Sequence, residues 1–277
     1  MTEHIHEPLL AYENLPFLNS DICRPIRLQA EFLYAHETMK QNHIDYTVVV
    51  FGSARIKPPE VAEKNLEEAQ KKLELSPNSK KLQKNVKQAE SILKYSKYYQ
   101  LAQSFSTLVS ESTNRGENNA YIVTGGGPGI MEAGNRGAHD AGCPSVALNI
   151  KLPFEQHPNP YVTEKLSFQF HYFSIRKIHF LTRARALCAF PGGFGTMDEL
   201  FETLTLIQTG KVEKMPIVLF GTEFWKKLIN WEYFVEAGLI EEDDLDLFHY
   251  CDDAEEGWKY IQNYWQEKGM APHLKIV

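Results

Sequence analysis

The chain has 277 residues, 43% hydrophobic, 12% aromatic and 23% charged, a globular balance that excludes a disordered or fibrous chain and fits one large domain or two small ones. With 29 Lys and Arg against 36 Asp and Glu, the net charge of −7 argues against nucleic acid as a partner, and an anionic ligand needs a local positive seat. Cys23, Cys143, Cys188 and Cys251 stand far apart with no CxxC pair, which argues against a disulfide framework or a metal site.

The start, Met1-Thr2-Glu3-His4, lacks the basic and apolar regions of a signal peptide, and no apolar run is long enough for a bilayer. The expectation is a cytoplasmic protein with no membrane partner. Residues 1–45 mix Pro, aromatic and charged residues, with a helix expected from Ile26 to Met39. They read as an extension packed on the core. Tyr46 to Phe51 is a β-branched run ending at Gly52-Ser53, the pattern of a strand buried on both faces. From Pro58 to Thr113 the chain is rich in Lys, Glu, Gln and Ala, broken once at Pro77-Asn78-Ser79. This predicts two helices, the second long, with residues 57–95 a charged, solvated insertion that projects from the core.

Beyond it the pattern alternates. Strands are expected at Ala120–Thr124, Ser145–Asn149, Leu166–Phe170, Ala186–Phe190 and Ile217–Phe220. Helices are expected at Ile130–Ala141, Phe173–Ala184, Met197–Thr209, Glu223–Glu236 and Ala254–Lys268. Alternation of this kind predicts a doubly wound, mostly parallel α/β sheet with helices on both faces, and a single domain over residues 46–270.

In such a sheet ligands bind beyond the carboxyl ends of the strands. Three glycine-containing loops fall there: Gly52-Ser53-Ala54-Arg55, Gly125 to Gly129, and Pro191-Gly192-Gly193-Phe194-Gly195-Thr196. Glycine lets the backbone approach a ligand, and a helix N-terminus offers unpaired N–H groups to a phosphate. Gly-x-x-x-x-Gly-Lys-Ser/Thr is absent, and Pro128 stiffens Gly125-Gly126-Gly127-Pro128-Gly129, away from the dinucleotide fingerprint. Thr196 and Glu199 have the spacing of a helix capping box. Glu202 lies three residues further on the same helical face, and two carboxylates beside a phosphate seat suit ribose hydroxyls or a developing cation. Arg176 can fork onto a phosphate or a base nitrogen; equally, Arg176-Lys177 can be a solvated basic pair. Ser53 and Ser174 lack an evident relay for nucleophilic catalysis, and the ten histidines show no zinc spacing.

Pro191-Gly192-Gly193-Phe194-Gly195-Thr196-Met197-Asp198-Glu199 resembles the Pro-Gly-Gly-x-Gly-Thr-x-x-Glu signature of the Lonely Guy family. These are cytokinin riboside 5′-monophosphate phosphoribohydrolases and related nucleotide nucleosidases, many of them once labelled lysine decarboxylases. Gly125 to Ala133 is similar to the family's first glycine loop in its longer-chain variant, and Arg176-Lys177 to its Arg-Lys pair; the likeness covers roughly Tyr46 to Ile261. The resemblance implies a Rossmann-like fold, a homodimer or higher homo-oligomer with sites shared between subunits, no cofactor, and cleavage of a nucleoside 5′-monophosphate such as AMP or N6-modified AMP. It implies Arg176 and Glu199 as the catalytic pair. Substrate binding falls to Gly52, Ser53, Gly126, Gly127, Lys177, Gly192, Gly193, Gly195 and Thr196, with Glu132 and Glu202 bordering the ribose or base. The extension and the charged insertion depart from the short members.

The chemistry is consistent. Breaking a ribosyl C–N bond builds an oxocarbenium-like cation that a carboxylate stabilises. A nucleotide sensor or carrier on the same fold is the alternative; it would keep the glycine loops without needing Glu199 and Arg176 together. A pyridoxal-phosphate decarboxylase would need a Schiff-base lysine site, and no segment has that look.

Overall fold

A computed structural model describes residues 8–153 and 157–269; Met1 to His4, read above for a leader, lie outside them. A short helix, α1 (Leu15–Leu18), and a long one, α2 (Arg24–Gln41), precede β1 (Tyr46–Phe51). Then come α3 (Pro59–Glu74), α4 (Lys80–Tyr95), α5 (Lys97–Asn114), β2 (Ala120–Thr124), α6 (Ile130–Asp140), β3 (Val146–Ile150) and β4 (Ser167–Phe170). The second half runs α7 (Phe173–Thr182), β5 (Ala184–Ala189), α8 (Phe194–Gln208), β6 (Ile217–Phe220), α9 (Thr222–Leu228), α10 (Trp231–Glu236), β7 (His249–Cys251) and α11 (Ala254–Glu267).

The described strands form one seven-stranded sheet in the order β4-β3-β2-β1-β5-β6-β7, every pairing parallel. The expected doubly wound α/β architecture is therefore present. The chain leaves β1 toward β2 and later returns to lay β5 on the other side of β1, so the order reverses between these two strands. A reversal of this kind opens a crevice at the carboxyl ends of the two strands. Gly52 and Gly192 lie at that spot.

β1 shows why the sheet is covered on both sides. Tyr46, Val48 and Val50 pack with Tyr99, Phe105 and Val109 of α5, Ile130 of α6, and Trp258 and Ile261 of α11. Val49 and Phe51 point the other way, toward Met39 of α2, Phe180 of α7, Leu200 of α8 and Trp225 of α9. The period of two sends alternate residues to opposite layers.

Several expectations need correction. The long helix expected after Pro77 is two, because at Ser96 the hydroxyl donates to the Leu93 carbonyl at 2.7 Å and the backbone tightens onto the same acceptor, turning the chain between α4 and α5. The helix expected over Glu223–Glu236 is also two; Asn230 breaks it and caps α10, accepting from the Tyr233 N–H at 3.2 Å. β7 carried no periodic signal because it is three residues long. The insertion is helical, with Ala62 and Val86 its buried residues, but α3 and α4 pair as a hairpin that leans on α5.

Candidate active site

At the β1–β5 reversal lies an open cleft of about 750 Å³. Its floor is the two strand-end loops. Ser53 N–H donates to the Pro191 carbonyl at 3.0 Å and Phe190 N–H to the Phe51 carbonyl at 2.8 Å, so the loops are tied to one another. Gly52 is required there, since a Cβ would lie 2.6 Å from the Ile130 side chain.

Helix α8 begins at Phe194 with Gly193 at its N-cap. Its first helical hydrogen bond runs from Met197 N–H to the Gly193 carbonyl, 3.0 Å. The N–H groups of Phe194, Gly195 and Thr196 therefore have no acceptor within the helix and face the cleft at its positive pole. Free N–H groups at a helix start can hold an anion. Gly192 leaves room for the Thr196 side chain, which a Cβ would overlap.

The start of α8 also settles the capping box. Thr196 is the third helical residue and not the N-cap, so Glu199 lies a turn further in and caps nothing. Its side chain points back toward the helix start, as helical side chains do, into the cleft. It is 8% exposed, and burial raises its pKa to about 7 against the opposing pull of Arg176 and Lys177. Arg176 Nη1 stands 3.9 Å from Glu199 Oε1, an ion pair without a close hydrogen bond. Arg176 is anchored by Nε donating to the Leu148 carbonyl at 2.7 Å and by its guanidinium over the Phe180 ring, 4.9 Å from the centroid. Burial lowers its pKa, more strongly than Glu199 raises it. Each group of the pair is thus pushed toward its neutral form, because desolvation outweighs an attraction at this distance.

The structure groups the sequence candidates into three sets. Gly52, Ser53, Arg176, Gly192, Gly193, Gly195, Thr196 and Glu199 line the cleft. Lys177 and Glu202 lie on the neighbouring α7–α8 groove, where Lys177 Nζ binds Asp198 at 2.8 Å and Glu202 at 3.1 Å. Glu132 and the second glycine loop sit behind the cleft. Glu132 accepts from Tyr99 Oη at 2.8 Å. Gly126, with φ 72°, packs on Asn149, and Asn159 Nδ2 donates to the carbonyls of Gly126 at 3.2 Å and Gly127 at 3.1 Å. Gly125 makes room for Arg176: a Cβ would lie 2.6 Å from its Nη2.

Sequence reasoning missed one wall. Ser91, Ile92 and Tyr95 of α4 line the cleft with Phe224 and Leu228 of α9, and the Tyr95 and Phe224 rings meet edge-on at 6.1 Å. The apolar positions of α4 carried the signal, but its many charges masked it. Phe173 and Phe194, 52% and 95% exposed, form an aromatic lip. Among the described residues that line this cleft there is no lysine. Among the described residues no group of three His, Cys, Asp or Glu could hold a metal ion, and no helix is long and apolar enough to cross a membrane.

A family model described as "Possible lysine decarboxylase" matches residues 131–261, from α6 through the α8 signature into α11. The rice (Oryza sativa subsp. japonica) protein "Cytokinin riboside 5′-monophosphate phosphoribohydrolase LOG" is 30% identical over 132 residues, 46% of this chain and 53% of that relative. The chain's similarity is to the Lonely Guy family. A second rice protein, "Probable cytokinin riboside 5′-monophosphate phosphoribohydrolase LOG4", is 29% identical over 145 residues, 50% of this chain and 61% of the relative. The chain thus spans little more than half the length of these relatives. A solved molybdenum cofactor carrier protein from Chlamydomonas reinhardtii superposes with a TM-score of 0.45 at 17% identity, covering 80% of this chain and 99% of that one.

Proposed function

We propose that this protein is a nucleotide N-glycosidase that hydrolyses a nucleoside 5′-monophosphate, AMP or an N6-modified AMP, to the free base and ribose 5-phosphate. The observation that carries the proposal is Glu199: a buried carboxylate with a pKa near 7, one turn inside the helix whose free N–H groups form the anion seat. The Glu199 side chain points back toward that helix start, so seat and carboxylate open on one cleft. The 5′-phosphate on Phe194, Gly195 and Thr196 N–H therefore sets the sugar beside Glu199. The similarity to phosphoribohydrolases supports the same chemistry.

In the reaction water adds to C1′ as the C1′–N bond breaks and its electron pair leaves with the base. Ionised Glu199 stabilises the positive charge at C1′ and takes the proton from the water, and the base nitrogen is protonated in turn. Arg176, fixed by Leu148 and Phe180, faces the same carboxylate and stabilises charge on the leaving base. Binding energy from the phosphate positions the bond and does not act on it directly. A homodimer or larger homo-oligomer belongs to the proposal, and so does a cytoplasmic setting; the four free cysteines, all buried, are consistent with a reducing compartment.

The test is incubation of the pure protein with a panel of nucleoside monophosphates, with free base read by chromatography. Release of base from at least one nucleotide is expected. Binding of AMP without release of base from any nucleotide would establish the carrier alternative instead.

A further inference from the structure

Helix α7 carries Arg176 and Lys177 yet brings no cap of its own. Tyr172 at its N-cap makes no side-chain cap bond, and its first turn has no acidic residue. The cap comes from 140 residues away: the Glu31 carboxylate of α2 accepts from the His171 N–H at 2.9 Å through one oxygen and from the Tyr172 N–H at 3.2 Å through the other. A carboxylate there satisfies two backbone donors and faces the positive end of the α7 dipole.

The same extension helix holds α7 along its length. The Phe32 ring stacks on His179 at 5.1 Å. Arg183, the C-cap residue of α7, donates to the His36 carbonyl at 3.1 Å and to the Ile44 carbonyl at 3.0 Å. At the other end, the Arg176 N–H bonds to the Tyr172 carbonyl at 3.2 Å. Tyr172 is thus held by Glu31 through its N–H and accepts the first helical hydrogen bond from Arg176 through its carbonyl, so its placement sets where Arg176 enters the cleft.

We infer that Glu31 is a positioning residue for Arg176, and that α2 serves as a splint for the helix bearing it. The inference rests on the proposed function. A 1 Å misplacement of a catalytic group costs up to ~100-fold in rate; Arg176 keeps its Leu148 anchor, so Glu31→Ala should lower kcat by about tenfold with KM changed less than about twofold. Glu31→Gln retains one acceptor oxygen and should fall between. In an Arg176→Ala background Glu31→Ala should cause no further loss, because the residue it places is gone. Amide exchange in Glu31→Ala should quicken at residues 171–176 and stay unchanged in α5 and α11.

A kcat equal to the parent's, an equal loss with and without Arg176, or unchanged exchange at residues 171–176 would each overturn the inference. If the parent itself releases no base from any nucleotide, the proposed function falls. The exchange measurement then still decides whether Glu31 holds the start of α7: faster exchange supports the splint, unchanged exchange refutes it.

Discussion

Glu199 is costly to the fold and useful to the site for the same reason. A carboxyl that titrates near 7 in the folded chain and near 4.5 when exposed binds its proton more tightly in the native state. Below pH 4.5 both states hold the proton and the group is neutral to stability. As pH rises toward 7 the unfolded chain releases it first, so the native state loses stability, on the order of 3 kcal/mol once both are ionised. Glu199→Gln should remove this slope. Its melting temperature should match the parent's near pH 4.5 and exceed it at pH 8; an offset independent of pH would mean that Glu199 is not strained. The ionised form does the proposed chemistry, so the parent's kcat should climb through pH 7 and level off, while Glu199→Gln loses ~100-fold or more in turnover with AMP binding retained. Near-normal turnover in that variant would remove Glu199 from the mechanism. Gly125 tests the partner residue. Its backbone does not need glycine for a positive φ, so Gly125→Ala should fold and act by displacing the Arg176 guanidinium. Kinetics should show kcat reduced at least several-fold in a protein that melts within a few degrees of the parent; unchanged kcat would show that Arg176 can move without consequence.

Among the elements, legibility followed periodicity and glycine. β1, β2 and β6 coincide with their expected spans because buried parallel strands are unbroken β-branched runs between turn residues. The α8 loop was visible because closely spaced glycines at a strand end have few other uses. What was hidden was long-range: Glu31 capping α7, Asn159 holding Gly126, and α4 walling the cleft join residues whose spacing in sequence carries no information. Start positions were hidden too, which is how Glu199 took the spacing of a capping residue while sitting a turn inside its helix. The insertion shows the cost of reading charge alone. With Ala62 and Val86 its buried side chains, α3 and the outer part of α4 are dispensable to the core, and excising residues 60–88 with a short Gly-Ser closure should leave cooperative melting. But Tyr95 then loses the hairpin that holds it against Phe224. KM for the nucleotide should rise by about tenfold with kcat less affected, the signature of lost ground-state binding. Loss of cooperative melting would show instead that the hairpin is structural, and an unchanged KM that the α4 wall does not meet substrate.

For the whole molecule, α7 divides two surfaces. Arg176 and Phe180 face the cleft and core, while Lys177, Ile178 and Leu181 face a groove of about 600 Å³ shared with Leu206 of α8 and with Val212 and Met215. Ile178 is 47% exposed in the middle of an apolar strip, next to an ion cluster of Lys177, Asp198 and Glu202 that is already satisfied internally. An apolar strip beside charges already paired within the chain suits contact with another protein surface, and an isologous dimer would place the strip against its own copy. The aromatic lip, Phe173 and Phe194, lies at the ends of the same two helices, so a second copy covering the groove would approach the open side of the cleft. Sedimentation of the parent at micromolar concentration should therefore give a dimer or larger. Ile178→Asp puts a charge at the centre of the strip, where one copy can solvate it and two facing copies cannot. It should sediment as a monomer with an unchanged melting profile in dilute solution, and its turnover should fall if the second copy closes the cleft. A parent that sediments as a monomer at full activity would dissociate assembly from catalysis and leave the cleft complete within one chain.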